Sequence, residues 1–318
     1  MNIEKNVEAV LKLINWVVAN RDNFSHKLGK TTDEQLILLK PIGELALCCD
    51  LMIRGNLHSV AARELLEWAW LELDSGDFLK LALISRPGLM MISSLYATFY
   101  RNNIKNESLG RLIKNFSESE FSKSIQYPYW RRLDLNRALC DLEVFESLNY
   151  SPDLTWSYHR PEPWIIENDS AYALTHEVFY ITNFGASPDS LTPATTSYIR
   201  TWLPAWKRIF LGDNNLDIFT ELLMVSLCIG KPYNELVSFK IIAESISPSG
   251  FLPGPENGGK SLLSGIRDEG RSIFLQNYHT TLVGIMAFSL LESACPTREL
   301  LTTGSTWSDN MGVSNQEG

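Results

Sequence analysis

The sequence predicts an all-α fold, with helices stacked in pairs as an α/α toroid: a closed ring of about six helix pairs, with an open superhelix as the alternative. Three observations carry this. Apolar residues recur at three and four spacing in segment after segment, alternating strand patterns are absent, and residues suited to a left-handed helix end recur along the chain. Those ends are Gly55, Asn103, Asn149, Gly185 and Gly230, spaced by 48, 46, 36 and 45 residues. A unit of that length holds two helices and their turns, the signature of stacked helix pairs. Closure is favoured because the helices before these ends are apolar around most of their circumference, as helices inside a ring should be.

The elements follow in order. MNIEKNVEAVLKLINWVV has acidic residues beside its lysines and no small-residue cleavage site, so it reads as an amphipathic helix and not as a signal peptide. LILLKPIGELALCCDLMIR runs to Gly55, ARELLEWAWLEL follows it, LMMISSLYATFYR runs to Asn103, and DLNRALCDLEVFESL is expected to reach Asn149. Residues 150–164, YSPDLTWSYHRPEPW, form a proline-rich connection too long for an idle turn. Its aromatic rings either wall a pocket, which makes Trp156 and Trp164 candidates for binding, or clamp the outside of the ring; both uses bury them. His159 in this loop is expected to be exposed. AYALTHEVFYITNF then ends at Gly185, SYIRTWLPAWKRIF follows, and DIFTELLMVSLCI ends at Gly230. A Gly, Pro and Ser-rich insertion, residues 246–270, precedes the last helix, YHTTLVGIMAFSLLE. Residues 1–296 are expected to form one toroid-like domain and residues 297–318 a polar, flexible tail.

Composition bounds the function. With 318 residues, 45% of them hydrophobic and 20% charged, the chain can bury a large core. A formal charge of -9 and the absence of any Lys/Arg run argue against nucleic acid or an anionic membrane as partner. No apolar run reaches the roughly 18 residues of a transmembrane helix. Five cysteines (Cys48, Cys49, Cys140, Cys228, Cys295), mostly in apolar segments, argue against a disulfide framework and for a cytoplasmic protein. Nothing in the sequence sets the oligomeric state.

The helix ends also supply a register. His176 lies nine residues before Gly185 and Glu221 nine before Gly230; at the same offset the other units place Ala46, Ser94 and Cys140, with Asp141 one step on. His176 and Glu221 are therefore expected at one level on neighbouring inner helices, close enough for acid–base chemistry. His279, opening the last helix, is expected to look into the same mouth and to stay neutral at the positive end of the helix dipole. Tyr172, Tyr180, Asp141 and Tyr278 are further candidates for binding substrate.

Each residue also has a plainer use. His176 could be a core histidine satisfied by Thr175 or Tyr180, and Glu221 an exposed first-turn carboxylate complementing the dipole. Glu177, about 100 degrees around the helix from His176, is expected to hold a neighbouring helix. Asp141 is expected to pair with Arg137, and Asp50 with Arg54, at four spacing. No HExxH, CxxC or Cys-His-Gly run supports a metal site with His176 and His279, so no metal and no cofactor is expected. GPENGGKS, residues 254–261, matches the phosphate-cradling GxxxxGK[ST] pattern letter for letter. Without a strand before it or a sheet around it, it reads as a mobile loop over the ring mouth.

Asp169, Tyr172, Thr175, His176, Phe179, Tyr180, Phe184 and Gly185, with Tyr278, His279 and Thr280, give a chain that resembles an uncharacterised family of bacterial all-helical proteins classed only as a domain of unknown function. The YALTHxxFYxTxFG core is its specific part. The resemblance implies a bacterial origin and a setting near genes for specialised metabolites; it supplies no reaction. The DxDD acid of class II terpene cyclases, the zinc ligands of lanthionine cyclases and the Asp, Cys and His set of prenyltransferases are all missing. The expectation is a cytoplasmic enzyme doing metal-free acid–base chemistry on a small molecule or short peptide, a cyclisation, isomerisation or elimination. His176 is the base or acid, Glu221 orients it and His279 stabilises charge. The alternative is a non-catalytic scaffold binding a metabolite or peptide.

Overall fold

A computed structural model describes residues 3–230, 235–256 and 268–294. Among them 74% are helical and none lies in a strand. The helices are α1 (Ile3–Ala19), α2 (Thr32–Ile37), α3 (Leu39–Arg54), α4 (Ser59–Glu72), α5 (Asp77–Ser85), α6 (Ile92–Arg101), α7 (Glu107–Ser117), α8 (Glu120–Ser124), α9 (Tyr129–Asp141), α10 (Trp156–His159), α11 (Asn168–Ile181), α12 (Pro193–Gly212), α13 (Leu216–Cys228), α14 (Leu236–Ser245) and α15 (Glu269–Ala294). None of them is long and apolar enough to cross a membrane.

Local chemistry starts the helices that matter. Thr192 caps α12 by accepting from the Thr195 amide, with Pro193 at the first helical position where its missing N–H costs nothing. Asn215 caps α13 through the Ile218 amide. Glu167 and Ser170 close a capping box on α11.

Packing arranges six of these helices in succession. α3 packs on α6, α6 on α9, α9 on α11, α11 on α13, α13 on α15, and α15 on α3. Others pack against members of this succession: α4 against α3, α12 against α13, α1 against α15. α13 is the most deeply packed member of the succession by its own residues. All thirteen of its residues are buried, and each fully buried Leu, Ile, Val, Met or Phe contributes about 1.5–3 kcal/mol.

The helix ends correct the expected register. α3, α6 and α9 close with a left-handed residue followed by a bond back across the last turn: Asn56 with Leu57 N to Met52 O, Asn103 with Ile104 N to Phe99 O, and Glu143 with Val144 N to Leu139 O. Asn103 is as expected. Asn56 takes the place of Gly55, whose φ is -81°. Asn149 ends nothing, because α9 stops at Asp141 and Glu143 turns the chain. Gly185 and Gly230 both have positive φ as expected, although α11 already closes at Asn183.

The insertion after α14 is partly packed. Gly254 donates its amide to Asn277 Oδ1 at 2.9 Å, and a Cβ there would meet the Gln276 carbonyl oxygen at 2.1 Å. Residues 257–261 of the GPENGGKS segment, Cys295 and the 297–318 tail lie outside the described residues.

Candidate functional site

α3, α6, α9 and α11 border an open cavity of roughly 460 Å³, within the range of small-molecule sites. Leu39, Leu47, Leu95 and Met91 line it together with Arg101, Arg131, Asp134, Arg137 and Asp141, and with Glu44, Trp130, His176 and Tyr180.

His176 is fixed from below. Its Nδ1 lies 2.8 Å from the carbonyl oxygen of Tyr172, one turn earlier on α11. A carbonyl only accepts, so Nδ1 carries a proton and Nε2 is the nitrogen left to exchange one. Trp130, at 4.7 Å between ring centroids, and Tyr180, at 5.9 Å, flank the imidazole.

Glu221 stands 3.8 Å from His176 Nδ1, as the register predicts, and is buried rather than an exposed first-turn residue. Thr175 donates its hydroxyl to Glu221 Oε2. Burial alone would raise this carboxyl, but His176, His279 and Thr175 together hold it below the ordinary range.

His279 is the principal correction. It sits well inside α15, more than two turns from its start, so no helix dipole keeps it neutral. Its Nδ1 is 2.9 Å from Glu44 Oε2, and its Nε2 is 3.5 Å from Asp217 Oδ1 and 3.7 Å from Glu221 Oε1. Burial disfavours the charge, yet Asp217, Glu44 and Glu221 win and raise the imidazole well above its usual range. Burial likewise opposes the Glu44 charge, but His279 and Lys40 bring its carboxyl down to about 2. Tyr172 donates to Asp217 Oδ2 at 2.6 Å and Thr280 to Asp217 Oδ1 at 2.9 Å. Burial and the Asp217 charge raise the Tyr172 phenol far above its usual range, so it remains a donor. Neither Glu221 nor His279 lines the cavity; Glu44 and His176 join the cluster to it.

The remaining candidates divide. Tyr180 and Asp141 line the cavity. Asp141 pairs with Arg101, at 2.6 Å, and not with Arg137; Arg101 also binds Asp50, so Asp50 does not pair with Arg54. Arg137 and Arg54 instead donate to the carbonyl oxygens of Tyr180 and Asn183. Tyr278 is buried against Phe24 and Phe274 behind the cluster. Trp156 packs on Trp206 and Tyr198, and Trp164 is 74% exposed; neither lines the cavity. His159 is exposed, as expected. Glu177 holds the proline-rich strap by accepting from the Trp156 amide and from the Ser157 amide and hydroxyl.

Four residues escaped sequence reasoning: Glu44, Trp130, Asp134 and Asp217. Burial pushes the Asp134 carboxyl up to about 7 against the pull of Arg131 and Arg101, which gives the cavity a carboxyl able to exchange a proton near neutrality. Counting nine residues back from Glu143 instead of Asn149 would have found it. One turn before Asp134, His176 and Glu221 stand Trp130, Tyr172 and Asp217, the next layer of the same helix faces.

Fold and site define an all-helical protein in which an ionic cluster of histidines, carboxylates and tyrosines adjoins a cavity. The chain belongs to the family described as Domain of unknown function (DUF6895), which matches residues 10–289. No curated protein and no solved structure matches it.

Proposed function

We propose that this chain is an α/α toroid enzyme that moves protons on a small molecule or short peptide held in the cavity, in a cyclisation, isomerisation or elimination. The succession of inner helices that returns from α15 to α3 supports the ring. One observation carries the chemistry: His176, locked by the Tyr172 carbonyl so that Nε2 is free to exchange a proton, lines the cavity beside buried Glu221. Glu221 orients and compensates the imidazole, Asp134 is the complementary acid, and the His279 imidazolium balances the carboxylates behind. The resemblance to a family of bacterial proteins near specialised-metabolite genes supports a biosynthetic setting. The four described cysteines, all free, suit a cytoplasmic location.

The test is a screen of small metabolites and short peptides with purified protein in deuterated water, followed by mass spectrometry. Wild type should convert a component with deuterium incorporated, and His176→Ala should do so about 10²–10⁴-fold more slowly while still binding it. Equal turnover by the folded variant would remove His176 from the chemistry. A ligand bound and recovered unchanged by both proteins would favour a binding scaffold.

A further inference from the structure

Behind the cavity, one atom from each of Asp217, Glu221 and His279 lies within 4.8 Å of the other two. His279 Nε2 is 3.5 Å from Asp217 Oδ1 and 3.7 Å from Glu221 Oε1. Ligand atoms about 2.1 Å from one tetrahedral ion stand about 3.4 Å from each other. Both spacings are close to that separation.

The other atoms of the same side chains are already engaged in the way ligands to a metal require. His279 Nδ1 meets Glu44 at 2.9 Å, Asp217 Oδ2 accepts from Tyr172 at 2.6 Å, and Glu221 Oε2 accepts from Thr175. A ligating histidine almost always gives its second nitrogen to a carboxylate, which fixes the ring and its tautomer, and ligating carboxylates are themselves hydrogen-bonded. An ion that displaces the His279 Nε2 proton meets two carboxylates and a neutral imidazole, which match the charge of a divalent ion and leave a coordination position open, as catalytic sites do; the ion then supplies the charge balance that the imidazolium supplies in its absence.

The Tyr278 hydroxyl, on a side chain 1% exposed, looks onto the same cluster: Glu44 is its hydrogen-bonding neighbour, and no described residue gives it a bond of good geometry. Water bound to an ion in the cluster would give it a firm partner.

We propose that Asp217, Glu221 and His279 bind a divalent transition-metal ion of the zinc or manganese type, with Glu44, Tyr172 and Thr175 orienting the ligands. This departs from the metal-free expectation. It is independent of whether His176 moves a proton, because metal binding is read without turnover.

The test uses full-length protein stripped by a chelator and titrated calorimetrically with Zn²⁺ and Mn²⁺, with Mg²⁺ as control. Wild type should bind one equivalent of Zn²⁺ or Mn²⁺ at micromolar affinity or tighter, and Mg²⁺ far more weakly. Glu221→Gln and His279→Gln should lose at least about 100-fold in affinity, and Tyr172→Phe about 10–100-fold. In ¹⁵N-labelled wild type, bound ¹¹³Cd²⁺ should couple to a single imidazole nitrogen, Nε2 of His279. Failure of wild type to bind, undiminished binding by folded variants, or equal affinity for Mg²⁺ would each overturn the site. Should the variants not fold, the cadmium–nitrogen coupling decides alone, and its absence rejects the site.

Discussion

Replacing Glu177 by Gln should change how stability depends on pH, and even reverse the sign of the variant's effect. Glu177 is 2% exposed and accepts from the Trp156 amide at 2.7 Å, the Ser157 amide at 3.2 Å and the Ser157 hydroxyl at 3.0 Å. Burial nevertheless outweighs these donors and pushes its carboxyl from about 4.5 up to about 7. Between those values the folded chain holds a proton that the unfolded chain has released, so stability falls as pH rises. The contribution is fully present below the unfolded value and lost as pH passes the folded one; it amounts to about 3 kcal/mol. A glutamine is neutral throughout, but its NH₂ must face donors, costing about 1 kcal/mol. Glu177→Gln should therefore be less stable than wild type by about 1 kcal/mol at pH near 4.5 and more stable by about 2 kcal/mol at pH near 8. Urea unfolding followed by far-UV circular dichroism across that range measures both. A difference of constant size and sign would show that the buried carboxyl does not titrate as described.

Two further outcomes are expected. Glu44, with its carboxyl brought down to about 2, contributes stability that is present above about 4.5 and lost as pH falls toward 2. Glu44→Gln should flatten that acid limb by about 3 kcal/mol in pH-dependent unfolding; because Glu44 and His279 form one ion pair, their two shifts describe a single interaction. Gly254→Ala should cost about 2 kcal/mol or more, since its Cβ would meet the Gln276 carbonyl oxygen at 2.1 Å and helix backbone cannot give way cheaply. Gly88→Ala, with nothing within 4 Å, is the control and should change the thermal midpoint little.

The buried helices are legible in the sequence because burial writes itself into composition. α13, buried on every side, reads as the apolar run DIFTELLMVSLCI, and α3 and α11 likewise follow their apolar periodicity. Their ends were less legible. Asn149 looked like an end because Asn tolerates the left-handed region, but the chain turns at Glu143, a residue type with no such preference. The sequence places the start of α15 nine residues late for a related reason: EGRSIFLQN mixes polar and apolar residues without a clean period, so the helix reads as opening near His279. That displacement alone produced the expectation of a neutral histidine.

The site was legible where neighbouring helices share a level and illegible where they do not. His176 and Glu221 are counted from glycines at corresponding helix ends, so one offset brings them together. Yet the offset is not uniform. Counted from its closing residue Asn183, α11 would present Leu174; it is Gly185, two residues beyond the closure, that aligns His176 with Glu221. Glu44 has no such route, because it lies 235 residues from His279 and reads in sequence as an ordinary partner of Lys40 on a helix face, at 3.4 Å. The fact that ties the cluster together is where α3 meets α15. Only after that contact is made does Glu44 become the residue that links the ionic cluster to the cavity, and a carboxylate that would pass for surface decoration becomes the partner of His279.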